Sequence, residues 1–111
     1  MSQYREVQSL PVVATAVLTA CRLVSPTGGL PADGGNALGA AKSDAAIGET
    51  CPVITLGTAV LEASAAIAKG AAVESGADGR IETKSAGVTI GRALQAAGAA
   101  GDKIEVTLIP N

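Results

Sequence analysis

Glycine and proline set the limits on what this chain can become. Fourteen glycines and five prolines cut the sequence beyond residue 11 into short runs of Val, Ile, Leu and Thr. Runs of that length and type are strands, and the breaks between them are turns. The punctuation predicts strands near 12–18, 21–25, 37–42, 51–56, 58–63, 71–75, 80–84, 88–95 and 103–109. Helix competes in "TAVLEASAAIAKG" and "RALQAAGAAG", which are rich in alanine, the best helix former. Gly57 and Gly70 bracket the first and Gly98 and Gly101 cut the second, so at most one helical turn is expected, around Ser64–Lys69.

Two connections are specific. In "ESGADGRIE" the pair Asp78-Gly79 suits a hairpin turn that needs positive φ, with Ile81 and Thr83 alternating with Arg80, Glu82 and Lys84. "SPTGGLPADGGN" is a longer loop, because four glycines and two prolines exclude a regular element. The strand at 103–109 alternates: Ile104, Val106 and Leu108 share one face, and Lys103, Glu105 and Thr107 the other. It is expected to be half-buried, with solvent or a partner on its polar side.

Sliding the chain by 52 residues lays "LGAAKSDAAIGETCPVITL" over "IGRALQAAGAAGDKIEVTL". Gly39, Ala41, Ala45, Thr55 and Leu56 fall on Gly91, Ala93, Ala97, Thr107 and Leu108. A one-residue gap would instead bring Gly48 onto Gly101, and the sequence does not choose between them. A weak internal repeat over about 21–57 and 70–109 follows. The predicted fold is all-β, a compact small barrel or sandwich built from two related β-units with short helical turns and an extended N-terminal arm. Residues 1–11 are the arm and 12–111 a single β domain, as befits 111 residues. The arm has no obvious local partner. Its spaced apolar residues Tyr4, Val7 and Leu10 are the candidate partner contacts, in an arm ordered on binding, with a frayed tail as the alternative.

The core material is unusual. The chain has 23 Ala and 26 Val, Ile or Leu, against one Tyr and no Phe or Trp. Aromatic side chains normally supply the largest buried areas, so a core of small residues is thin, and neighbouring subunits are expected to complete it. The net charge of −2, without a basic run or stacking aromatics, argues against nucleic acid as a partner. No run reaches the roughly 18 apolar residues of a membrane span. "LTAC" resembles a lipobox ending at Cys21, but Glu6 offsets Arg5, Pro11 opens the apolar run, and Thr15 and Thr19 interrupt it. Cys21 and Cys51 lack a CxxC or histidine partner for zinc. They read as buried reduced thiols, with a disulfide as the alternative.

No chemistry declares itself. The chain has no histidine, and its acids sit mostly in turns or at exposed strand positions, Asp44 and Glu49 among them. A Ser or Cys nucleophile would need an activating base. "GGNALGAAK" and "GRALQAAGAAG" miss the spacing of phosphate and dinucleotide loops. Gly39 and Gly91 read instead as turns or points of close backbone approach. No catalytic residue, metal ligand or cofactor site is assigned.

From Thr15 to Ile109 the phrases "TAVLTACRLVSPTGG", "ALGAAKSDAAIGETCPVITLGTAVLEAS", "AIAKGAAVESGADGRIET" and "VTIGRALQAAGAAGDKIEVTLI" resemble, in that order, the small capsid cement (decoration) proteins of tailed bacteriophages. Cys21 and Cys51 depart from the small or aliphatic residues expected there. The resemblance implies a β-rich structural virion protein, made in the host cytoplasm and bound as a homodimer or homotrimer to the outer surface of the head. Its partner would be the major capsid protein, which it would brace against packaged DNA. It implies neither catalysis nor a cofactor. The alternatives are another phage structural protein of the tail or baseplate, or a bacterial lipoprotein β-domain lipidated at Cys21.

Overall fold

The computed structural model describes residues 5–109. Eight strands follow one another: β1 (Arg5–Val13), β2 (Leu23–Val24), β3 (Gly39–Ala41), β4 (Thr50–Glu62), β5 (Ala72–Ser75), β6 (Ile81–Thr83), β7 (Gly91–Ala93) and β8 (Lys103–Leu108). They form an antiparallel sheet in the order β2-β3-β4-β8-β7-β5-β6, with β1 also paired to β4. Beyond the end of β4, Ala63 bridges to Ile81 of β6, and Ser64 N–H donates to Ile81 O at 2.8 Å. Strands β4, β8, β7, β5 and β6 thereby make a nearly closed barrel. The all-β expectation holds.

Several elements differ from the sequence reading, each for a physical reason. The two strands expected at 51–56 and 58–63 are one, because Gly57 turns the strand at φ 106° without ending it. One edge of β4 carries β1 from Thr50 to Thr58; the other carries β3 at Val53–Ile54 and then β8 from Gly57 to Glu62. Residues expected to start a strand at 12 instead end one. Arg5–Val13 pairs with β4, so most of the segment read as lacking a local partner has one 37 to 53 residues further along the chain. Pro11 stands opposite Pro52. Two residues without N–H cannot exchange ladder bonds, so the missing donor of Pro11 faces the outer edge of β1, where it discourages further pairing.

In place of a helical turn at 64–69 there is an isolated bridge, Ile67 to Ala97. The short helix is a 3-10 turn at Ala77–Gly79 inside the expected hairpin, where Asp78 and Gly79 take φ 58° and 78°. No disulfide joins the two cysteines; Cys51 is buried and Cys21 half-buried.

The backbone uses one hydrogen-bond frame twice. Ala14 N–H donates to Glu49 O and Gly48 N–H to Ala14 O, both at 2.8 Å; Ala63 N–H donates to Asp102 O and Gly101 N–H to Ala63 O, also at 2.8 Å. Leu18 and Ala45 exchange bonds as Ile67 and Ala97 do. Leu23–Ala40 and Val24–Gly39 pair as Ala72–Arg92 and Val73–Gly91 do. Ala41 lies opposite Val53 as Ala93 lies opposite Val106. Gly48 therefore corresponds to Gly101, the alignment with the one-residue gap. A first unit runs over residues 5–56 and a second over 57–109, and β1 is the counterpart of the second half of β4.

Gly39 and Gly91 mark the tightest point of each unit. A Cβ on Gly39 would strike the Ile54 carbonyl, and one on Gly91 the Thr107 carbonyl, so neither position admits a side chain without moving the adjoining strand. The core has two parts. Ala14, Leu18, Val24, Ala41, Ala45, Cys51 and Val53 fill the first unit. The larger part fills the barrel with Leu61, Ile67, Val73, Ile81, Ile104 and Val106, and also takes Leu23, Ala40 and Ile54 from the first unit.

Candidate functional site

Among the described residues, two carboxyls have pKa values displaced from the ordinary carboxylate range, and they lie together. Glu74 on β5 and Glu82 on β6 sit side by side across the hairpin, and Asp33 reaches them from the long loop. One carboxylate oxygen from each of the three lies within 4.8 Å of the others, a spacing able to hold a cation. Ser85 N–H and Gly87 N–H donate to Glu74 Oε1 at 2.6 and 2.9 Å. Those two bonds hold Glu74 below its ordinary value. Burial first, then the negative charge of Asp33, push Glu82 upward, and it hydrogen-bonds to Glu74.

The arrangement serves the fold. Glu74 caps the turn at 85–87, and the same turn is tied to the long loop. Gly34 N–H donates to Ser75 O at 2.7 Å and Val88 N–H to Gly34 O at 3.0 Å. The stretch read as a longer loop is thus pinned at its centre to the second unit. A second polar junction joins the units at Glu62, whose carboxylate meets Arg22 Nε at 3.3 Å and Arg80 Nε at 3.0 Å. Glu105, expected on the open face of its strand, is buried: it accepts from Thr58 Oγ1 at 2.9 Å, and its N–H donates to Gln95 Oε1.

The three residues singled out as partner contacts have different fates. Tyr4 lies outside the described residues. Val7 is in β1, where the register with β4 is irregular between Glu6 and Gln8. Leu10 pairs with Val53 and keeps 39% of its surface exposed. Sequence reasoning passed over three aliphatics that are more exposed: Val13, Val17 and Ile47, at 59%, 64% and 67%. The first two were hidden in an expected strand. Ile47, directly before Gly48 in a polar stretch, was the available signal.

A surface of exposed aliphatics on an all-β scaffold fits what comparison with known proteins finds. The family model for phage cement proteins matches residues 2–108. The chain belongs to the phage cement protein family. Membership makes it a phage structural protein. Among solved structures, this cement protein resembles the crystal structure of the head fiber gp8.5 N base in bacteriophage phi29, with a TM-score of 0.75 and 20% identity. The likeness covers 92% of this chain and 93% of that one, and at that identity it shows a shared fold. No curated protein matches the sequence.

Proposed function

We propose that this protein is a capsid decoration protein. It binds the major capsid protein on the outer surface of the head as a homodimer or homotrimer and braces the shell against the pressure of packaged DNA. The match of the cement-protein family over residues 2–108 carries this reading. The aliphatic side chains left exposed on a core without Phe or Trp support it. The protein works by surface contact, with no catalysis, no cofactor, no nucleic acid and no membrane. Lipidation at Cys21 would require loss of β1, Ala14 and Leu18, which belong to the sheet and core.

The energetics favour an oligomer. Tyr4, Val7 and Leu10 would each contribute about 1.5–3 kcal/mol if buried on the shell, against roughly 4–15 kcal/mol lost on association. One chain alone binds weakly; several on one symmetric oligomer share that cost through effective concentration. Mixing the purified protein with undecorated heads, followed by sedimentation and imaging, tests the reading. Expected are symmetric clusters of added density on the outer shell and heads that retain DNA to a higher temperature. Failure to bind heads, or binding to tails, would overturn it. Because residues 5–10 are part of β1, Leu10→Glu is a cleaner probe of the arm than deletion: it should weaken head binding roughly tenfold and leave the melting temperature unchanged.

A further inference from the structure

The first unit closes in two facing turns, 14–18 and 45–49, joined by Leu18 N–H to Ala45 O at 2.8 Å and Ala45 N–H to Leu18 O at 3.0 Å. A shallow recess of about 250 Å³ opens there, lined by Val17, Leu18 and Thr19 from one turn and by Asp44, Ala45 and Glu49 from the other. Val17 lines it, Ile47 follows the lining Ala46, and Val13 precedes Ala14, whose N–H donates to Glu49 O; these three are the most exposed large aliphatics among the described residues. A single exposed aliphatic is ordinary, but three at one end of a small protein are not.

The second unit supplies an internal control. Its matching turns are held by the same bonds, Ile67 N–H to Ala97 O and Ala97 N–H to Ile67 O, at 3.0 and 2.9 Å. Glu62, Ala66 and Ala100 there occupy the places of Val13, Val17 and Ile47, directly before Ala63, Ile67 and Gly101. The turns therefore fold without branched aliphatics at these positions. The acids compare in the same way. Glu49 Oε1 accepts Ala46 N–H at 2.7 Å, and Asp102 repeats that role with Gly98 and Ala99. Asp44 Oδ1 accepts Ala20 N–H at 2.8 Å, but its counterpart before Ala97 is Ala96. The aliphatics and a carboxylate at the Asp44 place are thus peculiar to this end; the other end's extra acid, Glu62, is held by Arg22 and Arg80.

We propose that the Val13–Val17–Ile47 end of the first unit seats on the capsid shell, where it receives an apolar side chain flanked by lysine or arginine. The proposal rests on the capsid-binding reading above. A buried apolar anchor would supply the affinity, and Asp44 and Glu49, fixed by their backbone bonds, would select the basic neighbour. A second copy of this chain is a poor occupant. Two copies meeting here about a two-fold axis would set Asp44 and Glu49 against their own images.

The test compares the full-length protein, Val17→Asp/Ile47→Asp, and the control Ala66→Asp/Ala100→Asp at the other end. Each is measured by thermal melting, by mass in solution, and by titration onto undecorated heads. Wild type and control should bind alike, while the first variant loses at least roughly tenfold in affinity with unchanged melting temperature and mass. Asp44→Lys should weaken binding about threefold at low salt and less at high salt. The assignment is overturned if the first variant binds as wild type, if both doubles lose equally, or if the first variant changes oligomeric mass, which would make the patch a self-contact. An unaffected Asp44→Lys overturns the basic flank. If wild type itself fails to bind heads, the capsid reading fails instead.

Discussion

In the first unit Ala14, Leu18, Val24, Ala45 and Val53 are buried; in the second, Ala63, Ile67, Val73, Ala97 and Val106 are buried at the same places in the frame. The inward faces are therefore near copies. The outward faces are not. Across β2, β3 and β4 the first unit lines up Leu23, Ala40 and Ile54, all buried in the shared core. Across β5, β7 and β8 the second lines up Ala72, Arg92 and Thr107, with Arg92 exposed and donating to Gly70 O at 2.9 Å. One backbone frame accepts either kind of face. The apolar version joins a unit to its neighbour, and the polar version ends the stack after two.

The largest effect that would test this contrast comes from truncating matched positions. Ile54→Ala should cost about 2–5 kcal/mol, because it opens a cavity where the units meet. Thr107→Ala, at the same place in the second unit, should cost less than about 1 kcal/mol. Urea denaturation of the two variants measures both. Equal losses would mean that the outward faces are not used differently.

The elements visible in the sequence were those with a local cause. Asp78-Gly79 required positive φ and found it, and Ile104, Val106 and Leu108 are buried on one face of β8 as their alternation required. The shared position of Gly39 and Gly91 was also visible, because a close approach leaves glycine as its mark. What stayed hidden had distant causes. Ser9, Pro11 and Gln8 look like a polar arm until β4 is placed beside them. Gly57 looks like a break because a sequence shows its freedom but not the two strands, β1 and β8, that hold it on either side. The exposure of Val13 and Val17 escaped notice since they read as alternate residues of a strand; only the matching Glu62 and Ala66 make them conspicuous. Tyr4, Val7 and Leu10 were chosen by spacing alone, and spacing carries no information about a partner's shape.

A smaller effect separates the units by pH. Glu74 follows Val73 as Ser25 follows Val24. The hydroxyl of Ser25 accepts Gly29 N–H, which does not titrate, whereas the Glu74 position brings in Glu82, Asp33 and the nearby Lys84. The folded pKa of Glu82 lies above its ordinary 4.5, so its protonated form gives stability that is full below 4.5 and lost as pH rises through the folded value. Glu74 is displaced downward, so its contribution is present above 4.5 and lost as pH falls through its folded value. Glu82→Gln keeps a donor toward Glu74 and removes the group that resists ionising. Its melting temperature should exceed wild type at pH 8, with the gap closing toward pH 4.5. Parallel curves across that range would remove Glu82 from the pH dependence.

The finest distinction lies at Cys21 and Gly70. Cys21 N–H donates to Ala41 O at 3.1 Å and Gly70 N–H to Ala93 O at 2.8 Å, and both residues are left-handed, at φ 66° and 87°. A side-chain-bearing residue pays about 1–2 kcal/mol for that conformation, while glycine loses about 0.5–1 kcal/mol through the freedom of the unfolded chain. Cys21→Gly should therefore gain up to about 1 kcal/mol, less whatever packing the half-buried thiol provides. Gly70→Ala should lose about 1 kcal/mol, and there the cause is unmixed, because a Cβ on Gly70 meets nothing within 4 Å. Denaturation midpoints moving in opposite directions would show that the first unit tolerates a strained backbone where the second avoids it. If both fell, the thiol of Cys21 would be worth more than the strain it brings.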